Sequence, residues 1–177
     1  MTCLTGILAF SFLFLTSTSW AEIKPGDPSP LFSTKTHEGK DFDLQSRKGS
    51  WTVLYFYPKA GTPGCTKQAC AFRDNIEKIR SQGAEVFGIS SDGVKEQAAF
   101  HQEHKLNFTL LADPEAEIVK KFGTKMPAVN LSKRWTFIIG PDLKIRDIQK
   151  DVDPLMDAER VAKRIKELKT QVTSPQI

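Results

Sequence analysis

The segment Pro58-Lys-Ala-Gly-Thr62-Pro-Gly-Cys65-Thr-Lys-Gln-Ala-Cys70 gathers the residues of this chain best suited to chemistry. Pro58, Gly61, Pro63 and Gly64 break the preceding pattern, and from Cys65 onward Ala69, Phe72, Ile76 and Ile79 recur at helical spacing. Cys65 is thereby expected in the first turn of a helix. Unpaired backbone N–H groups and the helix dipole favour an anion there, so its thiol should lose a proton more readily than an ordinary cysteine and act as a nucleophile. Donors beside such a thiolate would hold an oxygen substrate and support the charge that develops on a leaving oxygen. Thr62, three residues before the cysteine, is expected to aim its hydroxyl back at the sulfur. The amides of Gly64 and Cys65 would complete a donor nest, and Pro58 would wall off water.

These groups need a scaffold. Trp51 to Tyr57 (WTVLYFY) is a nearly continuous β-branched and aromatic run, the pattern of a strand buried on both faces, and is expected as a central strand leading into Cys65. Before it, Leu31–Thr34 and Asp41–Leu44 read as two strands joined by a turn at 36–41. After the Cys65–Arg80 helix the pattern predicts a strand at Ala84–Ser90, a helix at Val94–His104 and a strand at Phe108–Leu111. A helix over Pro114–Phe122 follows, with Asp113 as cap and Pro114 at its first position. Arg134–Ile139 and Lys144–Gln149 flank the turn Gly140-Pro141-Asp142-Leu143, and Pro154–Leu168 reads as an amphipathic closing helix. Parallel crossovers followed by a hairpin imply an α/β fold, a mixed central sheet with helices on both faces. Arg134 starts a strand that can lie beside Trp51–Tyr57, which makes it the best candidate for a fixed cation near Cys65.

A chain of 177 residues, 40% hydrophobic and 26% charged, suits one globular domain without a linker. Its formal charge of +4 comes from 25 basic and 21 acidic residues that are interspersed, which argues against nucleic acid as a partner. Residues 1–21 stand apart: they carry no charge and contain the apolar run Ile7–Leu15, of export-signal size and too short to span a bilayer. Ser19 and Ala21 are the small residues a signal peptidase accepts, so cleavage is expected between Ala21 and Glu22. The division is then 1–21 as signal and 22–177 as a single domain, exported to a periplasm or to the outside and not stably held at a membrane once processed. Met1–Gly6 lacks the usual Lys or Arg, which leaves an uncleaved anchor or a different start as the competing reading. Removal of the signal would take Cys3 with it and leave Cys65 and Cys70.

Pro58, Thr62 and Cys65 match the Pro-x-x-x-Thr-x-x-Cys motif of peroxiredoxins, and the spacing of Cys65 and Cys70 resembles that of the bacterioferritin-comigratory or peroxiredoxin Q branch. Tyr55–Ala60, Phe72-Arg73-Asp74, Gly88–Asp92, Phe108–Asp113 and Arg134–Ile138 extend the resemblance over residues 25 to 168. It implies a thioredoxin-like fold and a thiol peroxidase that reduces hydrogen peroxide and organic hydroperoxides, with a thioredoxin-like dithiol as reductant and no cofactor or metal. By the same match Cys65 is the peroxidatic residue and Cys70 the resolving one, joined transiently in an intramolecular disulfide, while Pro58, Thr62 and Arg134 support the site. If both cysteines lie on a regular helix their Cα atoms are roughly 9 Å apart. A disulfide tolerates no more than about 7 Å, so the helix must unwind before the sulfurs can join.

Other readings compete. The cysteine pair as a structural staple is disfavoured by the short loop it would close and by the helix between them. His101 and His104 lie three apart without further ligands nearby, so solvated surface histidines are expected rather than a metal site, and His37 reads as a turn residue. A disulfide exchange protein would more commonly carry Cys-x-x-Cys, and a noncatalytic redox sensor would use the same thiol chemistry. A monomer is expected, since the core assignment leaves no obvious apolar edge.

Overall fold

A computed structural model of the chain describes residues 22–173; the expected export signal and Cys3 lie outside the described residues. Two short strands, β1 (Ser33–Lys35) and β2 (Asp41–Asp43), pair antiparallel around a turn in which the Thr36 amide donates to the Lys40 carbonyl at 2.8 Å. Asp43 then caps a turn of 3-10 helix (Leu44–Arg47) by accepting from the Gln45 amide. The rest of the chain runs β3 (Trp51–Phe56), α1 (Pro63–Arg80), β4 (Ala84–Ser90), α2 (Val94–Glu103), β5 (Thr109–Ala112), α3 (Glu117–Lys121), β6 (Thr136–Ile139), β7 (Ile145–Gln149) and α4 (Asp157–Thr173).

Five of these strands form one sheet in the order β5-β4-β3-β6-β7. β3, β4 and β5 are parallel, whereas β6 and β7 return antiparallel as the hairpin. The central place of β3 explains its composition: every residue from Trp51 to Phe56 is buried because both faces are covered. Val53, Tyr55 and Tyr57 join α1, α4 and Phe100 of α2 in one core layer, while Leu54 and Phe56 pack with α3, Phe32, Phe42 and Leu44 in the other. Helices thus lie on both faces, as the element order predicts.

The apolar stripe of α1 is Ala69, Phe72, Ile76 and Ile79, and that of α4 is Ala158, Val161, Ala162, Ile165 and Leu168, all buried where the two helices meet. Each of Phe72, Ile76 and Ile79 contributes roughly 1.5–3 kcal/mol by leaving water. Tyr55 stacks on Phe72 with ring centroids 4.6 Å apart, and the phenol end of its ring fills the space beside Gly88 of β4, where a side chain would have no room.

Several boundaries differ from the sequence pattern by a residue or more. Asp113 does cap a helix, but its buried carboxylate accepts from the amides of Glu117 and Val119, at 3.0 and 2.9 Å. Ala116 adopts φ +57°, so Pro114 belongs to a turn and the helix begins only at Glu117. β6 starts at Thr136 rather than Arg134, and α4 runs over Asp157–Thr173 rather than Pro154–Leu168. Among the described residues, no helix is long and apolar enough to cross a membrane.

Candidate active site

The chain leaves the end of β3 with the Tyr57 amide still bonded to the Ile89 carbonyl at 3.0 Å, then turns through Pro58–Thr62 into α1. A polar network in the neighbouring layer holds this loop. The Ala60 amide donates to Asp92 Oδ2 at 2.7 Å, and the same oxygen accepts from the Ser90 hydroxyl at 2.7 Å. Gln97 bridges Ser90 Oγ, at 2.8 Å, and the Tyr57 hydroxyl, at 2.5 Å. Gly61, with φ +75°, makes the bend that lets the loop fold back toward Asp92.

α1 opens with Thr62 as the extended residue before the helix and Pro63 at its first position, where a missing N–H costs nothing. Its first ladder bond runs from the Thr66 amide to the Thr62 carbonyl at 2.9 Å, so the amides of Gly64 and Cys65 precede the ladder and point out of the positive end of the helix. Cys65 lies in this first turn, its side chain almost wholly buried at 1% exposure.

Arg134 reaches the sulfur from the other side of β3. The antiparallel β3–β6 register, continued by the Phe56 amide bonding the Trp135 carbonyl at 2.8 Å, carries residue 134 alongside the start of the Pro58 loop. Its Nη2 donates to Cys65 Sγ at 3.4 Å and its Nη1 to Gln68 Oε1 at 2.5 Å. Gln68, one turn beyond Cys65 and fully buried, donates in turn to Asp157 Oδ2 at 2.6 Å, and Thr136 Oγ1 donates to that oxygen at 2.8 Å. Burial raises the pKa of Asp157, partly offset by these two bonds and by Arg134 and Arg160.

The remaining expected site residues are placed as follows. Pro58 is half-buried at the loop entrance. Thr62 does not aim at the sulfur: its hydroxyl donates to the Lys59 carbonyl at 3.0 Å, because the turn brings that carbonyl within its reach. Cys70 sits on α1 five residues after Cys65, half-buried, and both thiols are free. On a regular helix that spacing leaves their Cα atoms about 9 Å apart. His37 lies in the turn between β1 and β2 as expected, whereas His101 and His104 are half-buried rather than solvated. His37 and His101 are half-buried with their rings stacked at 3.8 Å, and His104 packs edge-on against Phe100. Among the described residues, no group of three or more His, Cys, Asp or Glu side chains is arranged to hold a metal ion.

Sequence reasoning missed Gln68 and Asp157. Both interrupt apolar stripes, Gln68 next to Ala69 and Phe72, and Asp157 one turn before Val161, and a polar residue in a buried stripe is a signal for an internal partner. Which partner it meets is not written locally.

A thiol at a helix entrance, bonded by a guanidinium and next to backbone amides that precede the helix ladder, is built to stabilise negative charge on the sulfur and on an atom bound beside it. Comparison with known proteins agrees with that chemistry. Residues 25–148 match the AhpC/TSA family. Chloroplastic peroxiredoxin Q of Populus jackii is 47% identical over 124 residues, which cover 70% of this chain and 58% of that protein, so the chain spans somewhat over half the length of this relative. Peroxiredoxin Bcp of Escherichia coli is 37% identical over 135 residues, covering 73% of this chain and 86% of that protein. The crystal structure of peroxidoxin BcpB from Mycobacterium tuberculosis superposes with a TM-score of 0.77 at 32% identity, over 82% of this chain and 97% of that one. The five-stranded mixed sheet between helices is thus the thioredoxin-like fold of peroxiredoxins. By motif, fold and relatives alike, the chain belongs to the AhpC/TSA family and, within it, to the peroxiredoxin Q and Bcp group.

Proposed function

We propose that this protein is a thiol-dependent peroxidase in which Cys65 attacks hydrogen peroxide and organic hydroperoxides. The observation that carries the reading is the Arg134 guanidinium 3.4 Å from the buried Cys65 sulfur at the entrance of α1. The thiolate attacks one peroxide oxygen, the O–O bond breaks, and the sulfur is oxidised to a sulfenic acid. The other oxygen leaves with the bonding pair and takes up a proton, giving water or an alcohol. Arg134 and the amides of Gly64 and Cys65 stabilise the charge on both sides of this transfer. Pro58 limits the access of water. For Thr62 to engage a peroxide, its hydroxyl must release the Lys59 carbonyl and rotate toward the sulfur.

In the second step the Cys70 thiol attacks the sulfenic sulfur, a Cys65–Cys70 disulfide forms and water leaves. Since the two Cα atoms are about 9 Å apart on a regular helix, the first turns of α1 must unwind for this. A thioredoxin-like dithiol then reduces the disulfide and is itself oxidised. One chain holds every group named, which supports a monomer as the working unit. The apolar run Ile7–Leu15 and the small residues Ser19 and Ala21 support export with cleavage after Ala21, and the mass of the protein recovered from the producing cell tests that assignment.

Stopped-flow oxidation of the reduced protein by hydrogen peroxide tests the function, read by fluorescence of Trp51 and Trp135, with Cys65→Ser and Cys70→Ser alongside. Oxidation far faster than that of free cysteine, abolished in Cys65→Ser and halted at sulfenic acid in Cys70→Ser, is the expected result. A wild type no faster than free cysteine refutes the peroxidase, and a disulfide exchange assay then becomes the next measurement.

A further inference from the structure

A carboxylate deep in the protein needs a reason. Asp157 is fully buried, and while its Oδ2 accepts from Gln68 and Thr136, its Oδ1 has no hydrogen-bond partner. Half-satisfied buried carboxylates cost stability, and an amide or an apolar residue would cost less here. What the carboxylate supplies is polarity. A guanidinium only donates hydrogen bonds and a carboxylate only accepts them. The Gln68 amide between them therefore has one orientation that satisfies both neighbours, with Nε2 toward Asp157 and Oε1 toward Arg134.

We propose that Asp157 is a positioning residue for the peroxide-reducing site: by accepting from Gln68 it locks that amide's acceptor onto Arg134, and through it holds the guanidinium against Cys65. Without an obligate acceptor at position 157 the amide is free to turn its NH2 toward Arg134, where two donors repel, and Nη2 loses its fixed approach to the sulfur. The chain of contacts is short and continuous, from Asp157 through Gln68 at 2.6 Å and Arg134 at 2.5 Å to Cys65 at 3.4 Å. It also links the start of α4 to the turns of α1 between the two cysteines, so the lock holds in the reduced enzyme and opens when α1 unwinds.

This inference rests on the peroxidase reading for its rate measurement, and a second readout stands free of it. Asp157→Asn lets either end of the Gln68 amide face position 157. The expected result is a roughly tenfold slower oxidation of Cys65, the size of one weakened hydrogen bond to a charged group. Gln68→Glu alone places two carboxylates against each other and should also react slowly. The double variant Gln68→Glu with Asp157→Asn restores the order: the carboxylate introduced at 68 accepts from both sides, and the amide nitrogen introduced at 157, standing where Oδ2 stood, donates one hydrogen to it and the other to the Thr136 hydroxyl. It should recover most of the wild-type rate. The guanidinium N–H resonances of Arg134 should be slow to exchange in wild type and the double variant, and averaged in either single variant.

An unchanged rate in Asp157→Asn overturns the proposal, as does a double variant as slow as the single ones with Arg134 resonances the same throughout. If Asp157→Asn does not fold, the comparison of Gln68→Glu with the double variant still decides, because a positioning role restores the slowly exchanging Arg134 resonances together with the rate, whereas mere relief of repulsion leaves them averaged. Should wild type fail to react with peroxide while the Arg134 resonances follow the expected pattern, the peroxidase reading falls and the positioning role stands.

Discussion

Gly64 sits where one methyl group would test the grip of Arg134 on Cys65. A Cβ at position 64 would lie 3.2 Å from Arg134 Nη2 and 3.9 Å from its Cζ, the only heavy atoms within 4 Å apart from its chain neighbours and its own helix backbone. Ordinary contact lies at about 3.5–4 Å, so Gly64→Ala should push the tip of the guanidinium back by roughly 0.3–0.8 Å. The Nη1 end is tied to Gln68 at 2.5 Å, so the movement falls on Nη2 and lengthens its 3.4 Å bond to the sulfur. A hydrogen bond to a charged group contributes about 1.5–3 kcal/mol, and losing half of it is a loss of about 0.8–1.5 kcal/mol, or roughly a 4- to 13-fold slower oxidation. Stability should move the other way. Alanine in a helix is favoured over glycine by about 0.5–1 kcal/mol, so the denaturation midpoint of Gly64→Ala should hold or rise. Stopped-flow separates the phases: sulfenic acid formation depends on peroxide concentration, whereas closure of the disulfide does not. The loss should fall in the first phase. A first phase at the wild-type rate in a stably folded Gly64→Ala would show that the guanidinium contact does not govern the attack.

Three further outcomes follow from other parts of the molecule. Gly88→Ala would set a Cβ 2.6 Å from the Tyr55 ring and 2.8 Å from Leu110 Cδ2, both fully buried, so urea denaturation should register a loss of about 1–3 kcal/mol; an unchanged midpoint would mean that this layer yields more easily than its packing implies. Tyr55→Phe removes a buried hydroxyl that has no hydrogen-bond partner, and the same assay should find the variant as stable as wild type or more so by up to about 1 kcal/mol. Burial lowers the pKa of both His37 and His101 below 6.5, and for His37 the neighbouring His101 adds to this. The folded protein therefore resists protons that the unfolded chain accepts, so the pair's contribution to stability is present above pH 6.5 and lost as the pH falls through the depressed folded values. Denaturation midpoints measured across that window should fall with acidification, and fall less in His101→Gln; an equal loss in both would assign the acid sensitivity elsewhere.

The segments whose information is local were legible from residue order. The nearly continuous β-branched and aromatic run 51–57 read as a strand covered on both sides, and the spacing Ala69, Phe72, Ile76, Ile79 as the buried stripe of a helix, so the place of Cys65 at a strand-to-helix turn followed without any tertiary contact. Pro58, Thr62 and Cys65 were recognisable because their chemistry depends on spacing along one loop. What residue order left open was which partner each polar group meets, whether a few residues away or across the fold. Asp113 met the amides of Glu117 and Val119 and delayed α3, and the carbonyl of Lys59 captured the Thr62 hydroxyl that spacing alone had aimed at the sulfur. Arg134 was nameable as a cation on a strand, yet its bond to Cys65 spans 69 residues and exists only because β6 lies antiparallel beside β3. Gln68 and Asp157, 89 residues apart, were visible only as polar interruptions of apolar stripes. Periodicity reports which face of an element is buried; the packing of α1 on α4 and of β3 on β6 decides what each buried polar group meets, and with it the approach of the guanidinium to the thiol.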